Sequence, residues 1–295
     1  MTDEPTRATV DWGVVRHVEL ADGARLLVRS TEPEPTRPVL LVLARHGGNG
    51  LEFSSVAADL ADHWCVVGVD LRGSGGSDWL PDEQGYSQQQ WCRDVIEVLD
   101  RTGLEPTAAV GVSLGGMLIV DLHDSGAVHL ERAVVVDIAP EWPVPADHAA
   151  MAERMATNLR LLGGTYPDLH SITEAWRTVQ ADVWPNVDQH VIARSAAACT
   201  RETEEGWRFA CDVAGYMMRA PGEPPILDRW AAWESLVDRV DTLVVRGEIS
   251  ELVADDAFER MIEGERASGL VVRGVGHWPP LELEPTRSAV ADSLS

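Results

Sequence analysis

The chain has 295 residues, enough for one large domain carrying an insertion, and its 45% hydrophobic content excludes a disordered polymer. A formal net charge of −24 argues against nucleic acid and anionic membrane surfaces as partners, since both would repel it. All 24 basic residues are arginine. The four cysteines, Cys65, Cys92, Cys199 and Cys211, show no close paired spacing, so neither zinc nor a redox motif is signalled. The start, Met1-Thr2-Asp3-Glu4, is acidic and leads into no apolar run. No stretch approaches the roughly 18 apolar residues of a membrane span. The expectation is a cytoplasmic protein acting on a small molecule.

Residues 13–20 and 24–31 alternate apolar and polar around Asp22-Gly23, which predicts a β-hairpin. Val39-Leu40-Leu41-Val42-Leu43 is an unbroken apolar run, the pattern of a strand covered on both faces, and it ends in His46-Gly47-Gly48. A helix with Leu51, Val56, Leu60 and Ala61 on one side follows. Next come the strand Cys65-Val66-Val67-Gly68-Val69, the glycine-rich loop Asp70–Ser77, and an amphipathic helix from about Ser87 to Leu99. Ala108-Ala109-Val110 and Ala133-Val134-Val135-Val136 continue the strand–helix rhythm, which implies a mostly parallel sheet with helices on both faces.

The rhythm then breaks. About a hundred residues pass before the next strand, Thr242-Leu243-Val244-Val245, and a structureless loop of that length is uncommon. Helical spacing at Met151, Met155, Leu159 and Leu162 and at Ile172, Trp176 and Val179, with further helices near 187–199, 205–218 and 227–237, predicts an inserted helical cap over 141–227. The flanking segments, 1–140 and 228–295, form the core. A helix near 254–264, the strand Leu270-Val271-Val272 and a helix from about Glu284 complete it.

Gly111-Val112-Ser113-Leu114-Gly115 lies between an apolar strand and an apolar helix, the setting of a nucleophile elbow. A sharp turn there lifts the serine hydroxyl above the sheet edge and leaves no room for side chains two residues to either side. The Leu114 N–H, with a helix N-terminus behind it, points where an oxyanion would form. Gly48 offers a second N–H at a neighbouring strand end. His277 follows the last strand within Gly274-Val275-Gly276-His277-Trp278-Pro279, and an imidazole there suits proton transfer at neutral pH.

His46-Gly47-Gly48, Asp70-Leu71-Arg72-Gly73-Ser74-Gly75, the Ser113 elbow and Gly276-His277 occur in the order seen in the α/β-hydrolase family, which the chain resembles over nearly its whole length. The resemblance implies an α/β fold with a mostly parallel central sheet of about eight strands and an inserted helical cap. It also implies a carboxylate partner for the histidine. Most members place it after the strand that follows the cap, in a loop similar to Arg246-Gly247-Glu248-Ile249-Ser250-Glu251, but Ser250 stands where the aspartate usually is. Some members take the acid from the strand after the elbow helix, where Asp137 stands. Both routes stay open here: Asp137 with Ser250 as an auxiliary hydrogen-bonding group, or Glu251 or Glu248.

The expected activity is that of a serine hydrolase on a small-to-medium hydrophobic carboxylic ester, lactone or thioester, with Ser113, His277 and Asp137 catalytic. Gly48 and Leu114 would hold the oxyanion, and no metal or organic cofactor is required. Dehalogenases and epoxide hydrolases of this fold carry aspartate at the elbow, so Ser113 speaks against both. Carbon–carbon bond hydrolysis or a non-hydrolytic cyclisation would use the same residues, and a non-catalytic ligand binder of the same fold is a further alternative. Trp142, Trp176, Trp184 and Trp278 are the expected substrate-binding residues, since tryptophans suit apolar pockets.

Overall fold

The computed structural model describes residues 12–80, 86–141, 156–213, 215 and 228–295. Its centre is one eight-stranded sheet ordered β1-β2-β4-β3-β5-β6-β9-β10. The hairpin β1 (Val14–Glu19) and β2 (Arg25–Ser30) is antiparallel, and β2 also runs antiparallel to β4 (Cys65–Val69). All other neighbours are parallel: β3 (Val39–Leu43), β5 (Pro106–Val112), β6 (Arg132–Val136), β9 (Asp241–Gly247) and β10 (Ala267–Val272). The unbroken apolar runs have the burial that double coverage demands, with every residue of β3 and β4 buried.

Alternation divides the core in two. Leu41, Leu43, Val67 and Val69 face α2 (Gln88–Thr102) and α3 (Leu114–Asp124), whereas Leu40, Val42 and Val66 face α1 (Ser54–Leu60) and the inserted helices. The amphipathic stretch predicted from Ser87 is α2, capped by the Ser87 hydroxyl accepting from the Gln90 N–H and ended by Gly103 at φ +65°. Residues 51–53 form a single 3₁₀ turn with Gly50 ahead of α1 rather than α-helix. Asn49 and Glu52 cap that turn reciprocally.

Between β6 and β9 the chain leaves the sheet. The described part holds a helical stretch at 156–162, α4 (Leu169–Gln180), α5 (Gln189–Cys199), and α6 (Trp230–Val237). One expectation needs correction. Residues 205–212 are not helical, and helix is met only at 213 and 215; β7 (Thr200–Thr203) and β8 (Gly206–Phe209) form an antiparallel hairpin. Its turn requires Gly206, at φ +125°, where a Cβ would lie 2.4 Å from the Tyr166 carbonyl oxygen. Alternating Thr200, Glu202 and Trp207, Phe209 suits a pleated ribbon better than a helix face. The expected helical positions Met151, Met155, Met217 and Met218 lie outside the described residues, as do 142–155 and 216–227 of the expected cap. The core closes with α7 (Asp255–Met261), β10 and α8 (Thr286–Ser293). Among the described residues no helix is long and apolar enough to cross a membrane.

Candidate active site

Three adjacent strands end in register: Val112 on β5 pairs with Val136 on β6, and Val136 pairs with Val245 on β9. The ladder runs one residue further, with the Ser113 N–H donating to Val136 O at 2.7 Å and the Asp137 N–H donating to Val245 O at 2.8 Å. Ser113 and Asp137 therefore occupy equivalent steps on neighbouring strands. Both have positive φ, +51° and +57°, the two such non-glycine residues among those described. Backbone strain of this kind persists only where surrounding structure enforces it.

Packing explains the glycines of the elbow. A Cβ on Gly111 would sit 2.4 Å from the Gly115 carbonyl, and one on Gly115 would sit 2.0 Å from Leu43 O. The turn can thus bring α3 directly against β3 and β5. Gly116 and Met117 donate their N–H groups to Ser113 O, while the Leu114 N–H, first in α3, has no protein acceptor among the described residues.

Asp137 is completely buried, and three donors surround its carboxylate. Oδ1 accepts from the Gly247 N–H at 3.1 Å, and Oδ2 accepts from Ser250 Oγ at 3.0 Å and lies 2.9 Å from His277 Nδ1. An ionised carboxylate only accepts, so Nδ1 carries the proton and Nε2 presents its lone pair. Glu248 and Glu251 are exposed; Glu248 instead accepts from the Gly274 N–H at 2.9 Å. The structure therefore brings Asp137 and Ser250 together with His277. Neither the Ser113 hydroxyl nor His277 Nε2 is hydrogen-bonded among the described residues.

Ser250 is the auxiliary contact with the plainest test. Ser250→Ala removes one of the donors on the buried carboxylate, an interaction worth about 1.5–3 kcal/mol when charged. Turnover is expected to fall by about tenfold with Asp137 still in place, as read by steady-state kinetics. Unchanged turnover would make that hydroxyl a bystander.

The second oxyanion donor expected from Gly48 is not met. Gly47 at φ +72° completes a turn in which the Gly48 N–H donates to Arg45 O at 2.9 Å, and that turn takes up the amide. A Cβ on Gly48 would lie 2.0 Å from Glu52 Oε2, at the end of a side chain that would have to move aside. Of the four expected tryptophans, only Trp176 needs correction. Trp142 lies outside the described residues. Trp176 is a pillar rather than a pocket wall, buried against Phe209 with its indole N–H on Ser195 Oγ at 3.2 Å. Trp184 and Trp278 do border a cavity, together with Ala44, Arg45, Val112 and Leu281.

Sequence reasoning passed over Arg45. Its guanidinium lies 4.2 Å from the Trp278 ring centre and 5.0 Å from that of Trp176, and it donates to Glu52 at 3.1 Å and to His46 O at 3.0 Å. Burial opposes its charge, but the Glu52 carboxylate raises its pKa above the ordinary arginine value. A lone cation at the end of an apolar strand, seven residues before a glutamate, was the available signal. His46 beside it keeps exposed surface, while protein packed around its ring, which meets Trp91 edge-on, desolvates it. That desolvation, with Arg45 adjacent, brings its pKa down to about 4 and leaves it neutral at pH 7.

The Asp70–Ser77 loop is built as scaffold. Asp70 accepts from the N–H groups of Gly50 and Gly76 at 2.8 and 3.0 Å, and Arg72 grips Asp94 through two bonds of 2.8 and 2.9 Å. All four cysteines are free, and burial pushes the Cys92 and Cys211 thiols up to about 11. Among the described residues no three His, Cys, Asp or Glu side chains gather as a metal site.

A strained serine at a strand–helix turn, one strand from a buried aspartate paired with a half-buried histidine, agrees with the sequence comparison. The family model described as "Alpha/beta hydrolase family" matches residues 39–291. The chain belongs to the alpha/beta hydrolase family. It is 24% identical over 264 residues to a 3-hydroxybutyrate-oligomer hydrolase of Cupriavidus necator, covering 88% of each chain. An alpha/beta hydrolase from Novosphingobium aromaticivorans superposes with a TM-score of 0.84 at 26% identity, covering 95% of this chain and 97% of that one. E-2-(acetamidomethylene)succinate hydrolase shares the fold, with a TM-score of 0.71 at 22% identity over 95% and 98% of the two chains. This alpha/beta hydrolase therefore has the expected eight-stranded sheet, and its relatives are hydrolases of several bond types.

Proposed function

We propose that this hydrolase cleaves carboxylic esters, lactones or thioesters of small-to-medium hydrophobic acids through an acyl-enzyme on Ser113. The observation that carries the reading is the 2.9 Å contact between Asp137 Oδ2 and His277 Nδ1, one strand away from a serine held on a strained elbow. With Nδ1 committed to the carboxylate, Nε2 takes the Ser113 proton as Oγ attacks the substrate carbonyl. Apo geometries of such pairs are commonly loose and tighten when substrate seats. The oxyanion is drawn to the Leu114 N–H and the N-terminus of α3. His277 then protonates the leaving alkoxide or thiolate. A water, deprotonated by the same nitrogen, attacks the acyl carbonyl, and His277 returns that proton to Ser113 Oγ as the bond to serine breaks and the acid leaves. The relative named as an oligomer hydrolase of 3-hydroxybutyrate, a hydroxy acid whose units join as esters, supports ester substrates.

The test is a fluorophosphonate probe followed by peptide mapping. A single adduct on Ser113, absent from Ser113→Ala and strongly slowed in His277→Ala, is the expected result. Turnover on an ester and thioester panel should vanish in the same variants. No adduct on the folded wild-type protein, or labelling unaffected by Ser113→Ala, would overturn the reading.

A further inference from the structure

The loop carrying His277 leaves β10 tied to the segment after β9 as far as Val275, whose carbonyl accepts from the Ile249 N–H at 3.1 Å. Two hydrogen bonds from the inserted segment bracket the histidine itself. The Gly276 N–H donates to Val183 O at 2.6 Å, and Trp184 Nε1–H donates to Trp278 O at 2.7 Å. Both partners lie in the connection between α4 and α5, far from His277 in sequence. The fit is close: a Cβ on Gly276 would meet Val183 Cα at 3.2 Å and Ile249 O at 3.4 Å. Trp184 is almost wholly buried, and its ring meets Trp278 edge-on with centres 5.2 Å apart.

A second group holds Trp278 as well. Arg45 lies on that ring and also bonds His46 O, so the turn after β3 and the loop after β10 share one buried cation. Asp137 orients the imidazole, but an imidazole can rotate and shift with its backbone. A carboxylate at one nitrogen does not by itself fix where the other nitrogen lies. The backbone on either side of the base is what the inserted segment holds.

We infer that Trp184 is a positioning residue for His277: its indole N–H on Trp278 O, with Val183 O on the Gly276 N–H, holds the base loop in the register from which Nε2 serves Ser113. This rests on the function proposed above, and it adds that the inserted segment contributes to catalysis through the base as well as through any contact with substrate. Loosening the loop lowers the fraction of molecules with His277 in place. The loss therefore falls on kcat and on serine activation more than on KM.

Trp184→Phe removes the donor and keeps an aromatic ring. The expected result is a fall in kcat of about tenfold, with KM within about twofold, on an ester substrate. Fluorophosphonate labelling of Ser113 should slow by a similar factor, and amide exchange at Gly276 should quicken. Trp64→Phe is the control, because it deletes a buried indole bond of 3.1 Å, to Leu294 O, away from the base loop. It is expected to lower melting temperature without changing kcat. Should Trp184→Phe fail to fold, 3-benzothienylalanine at position 184 replaces only the N–H with sulfur in a ring of the same shape, and the same fall in kcat is expected. If kcat, labelling and Gly276 exchange in a folded position-184 variant match the Trp64→Phe control, the inference fails while the proposed function stands. If Ser113→Ala or His277→Ala retains turnover, the proposed function fails, and this inference with it.

Discussion

Asp137→Asn is expected to lower turnover by on the order of 10⁴ while leaving the fold intact. The fold survives because asparagine is among the residues that best tolerate positive φ, and Asp137 sits at +57°. The amide oxygen can still accept from the Gly247 N–H, which places the NH₂ where Oδ2 now faces Ser250 Oγ and His277 Nδ1. A donor at that position drives the imidazole into the opposite tautomer, with Nδ1 accepting and Nε2 already protonated. Such a histidine cannot take a proton from Ser113. Glu251→Gln is expected to stay within about twofold of wild type, because that side chain is exposed and His277 is paired elsewhere. Steady-state kinetics with a matched melting curve checks both. An active Asp137→Asn beside an inactive Glu251→Gln would move the acid to the loop after β9.

Gly115→Ala should have the largest structural effect of any single methyl addition at the elbow. The new Cβ would stand 2.0 Å from Leu43 O and 2.8 Å from Ala44 O, both backbone atoms of β3 and its exit. No side-chain rotation relieves a clash with main chain, so α3 must withdraw from the sheet. Ordinary overpacking costs about 1–3 kcal/mol; a backbone collision at a buried helix–strand contact is expected to reach about 4 kcal/mol or more. A drop in melting temperature of roughly 6 °C or more follows for a domain of this size. Withdrawal of α3 also carries the Leu114 N–H away from the elbow, so activity should fall further than the folded fraction does. A variant that melts with wild type would show that the helix yields more easily than this packing implies.

Much of the fold was legible because it is written locally. Double-sided burial makes β3 and β4 unbroken apolar runs, and Gly111 is forced by backbone contact with Gly115 inside the elbow, although Gly115 is forced by Leu43 on distant β3. His277 could be located because glycine-rich sequence follows the last strand. Asp137 was harder, since nothing in Val136-Asp137-Ile138 separates an acid that partners histidine from one that caps a loop. Only a register shared by three strands sets it beside His277. The hairpin at β7–β8 was missed because four-residue strands are shorter than the windows from which periodicity is read. The turn that takes up the Gly48 N–H depends on hydrogen bonding that two adjacent glycines do not specify. Arg45 and Trp184 were illegible as a group, because their contacts join the end of β3, the inserted segment and the base loop across long sequence separations.

The register of β6 with β9 bears on how freely this scaffold can be re-equipped. Val136 and Val245 are paired neighbours, yet the whole inserted segment is threaded between them. Closing a flexible excursion costs entropy that grows only with the logarithm of its length, about 0.6 kcal/mol for each doubling. The sheet is therefore nearly indifferent to the size of what hangs between those strands. Grafting a foreign lid at this joint is thermodynamically inexpensive; the binding constraint is local, because any replacement must again offer a carbonyl to Gly276 and a donor to Trp278 O.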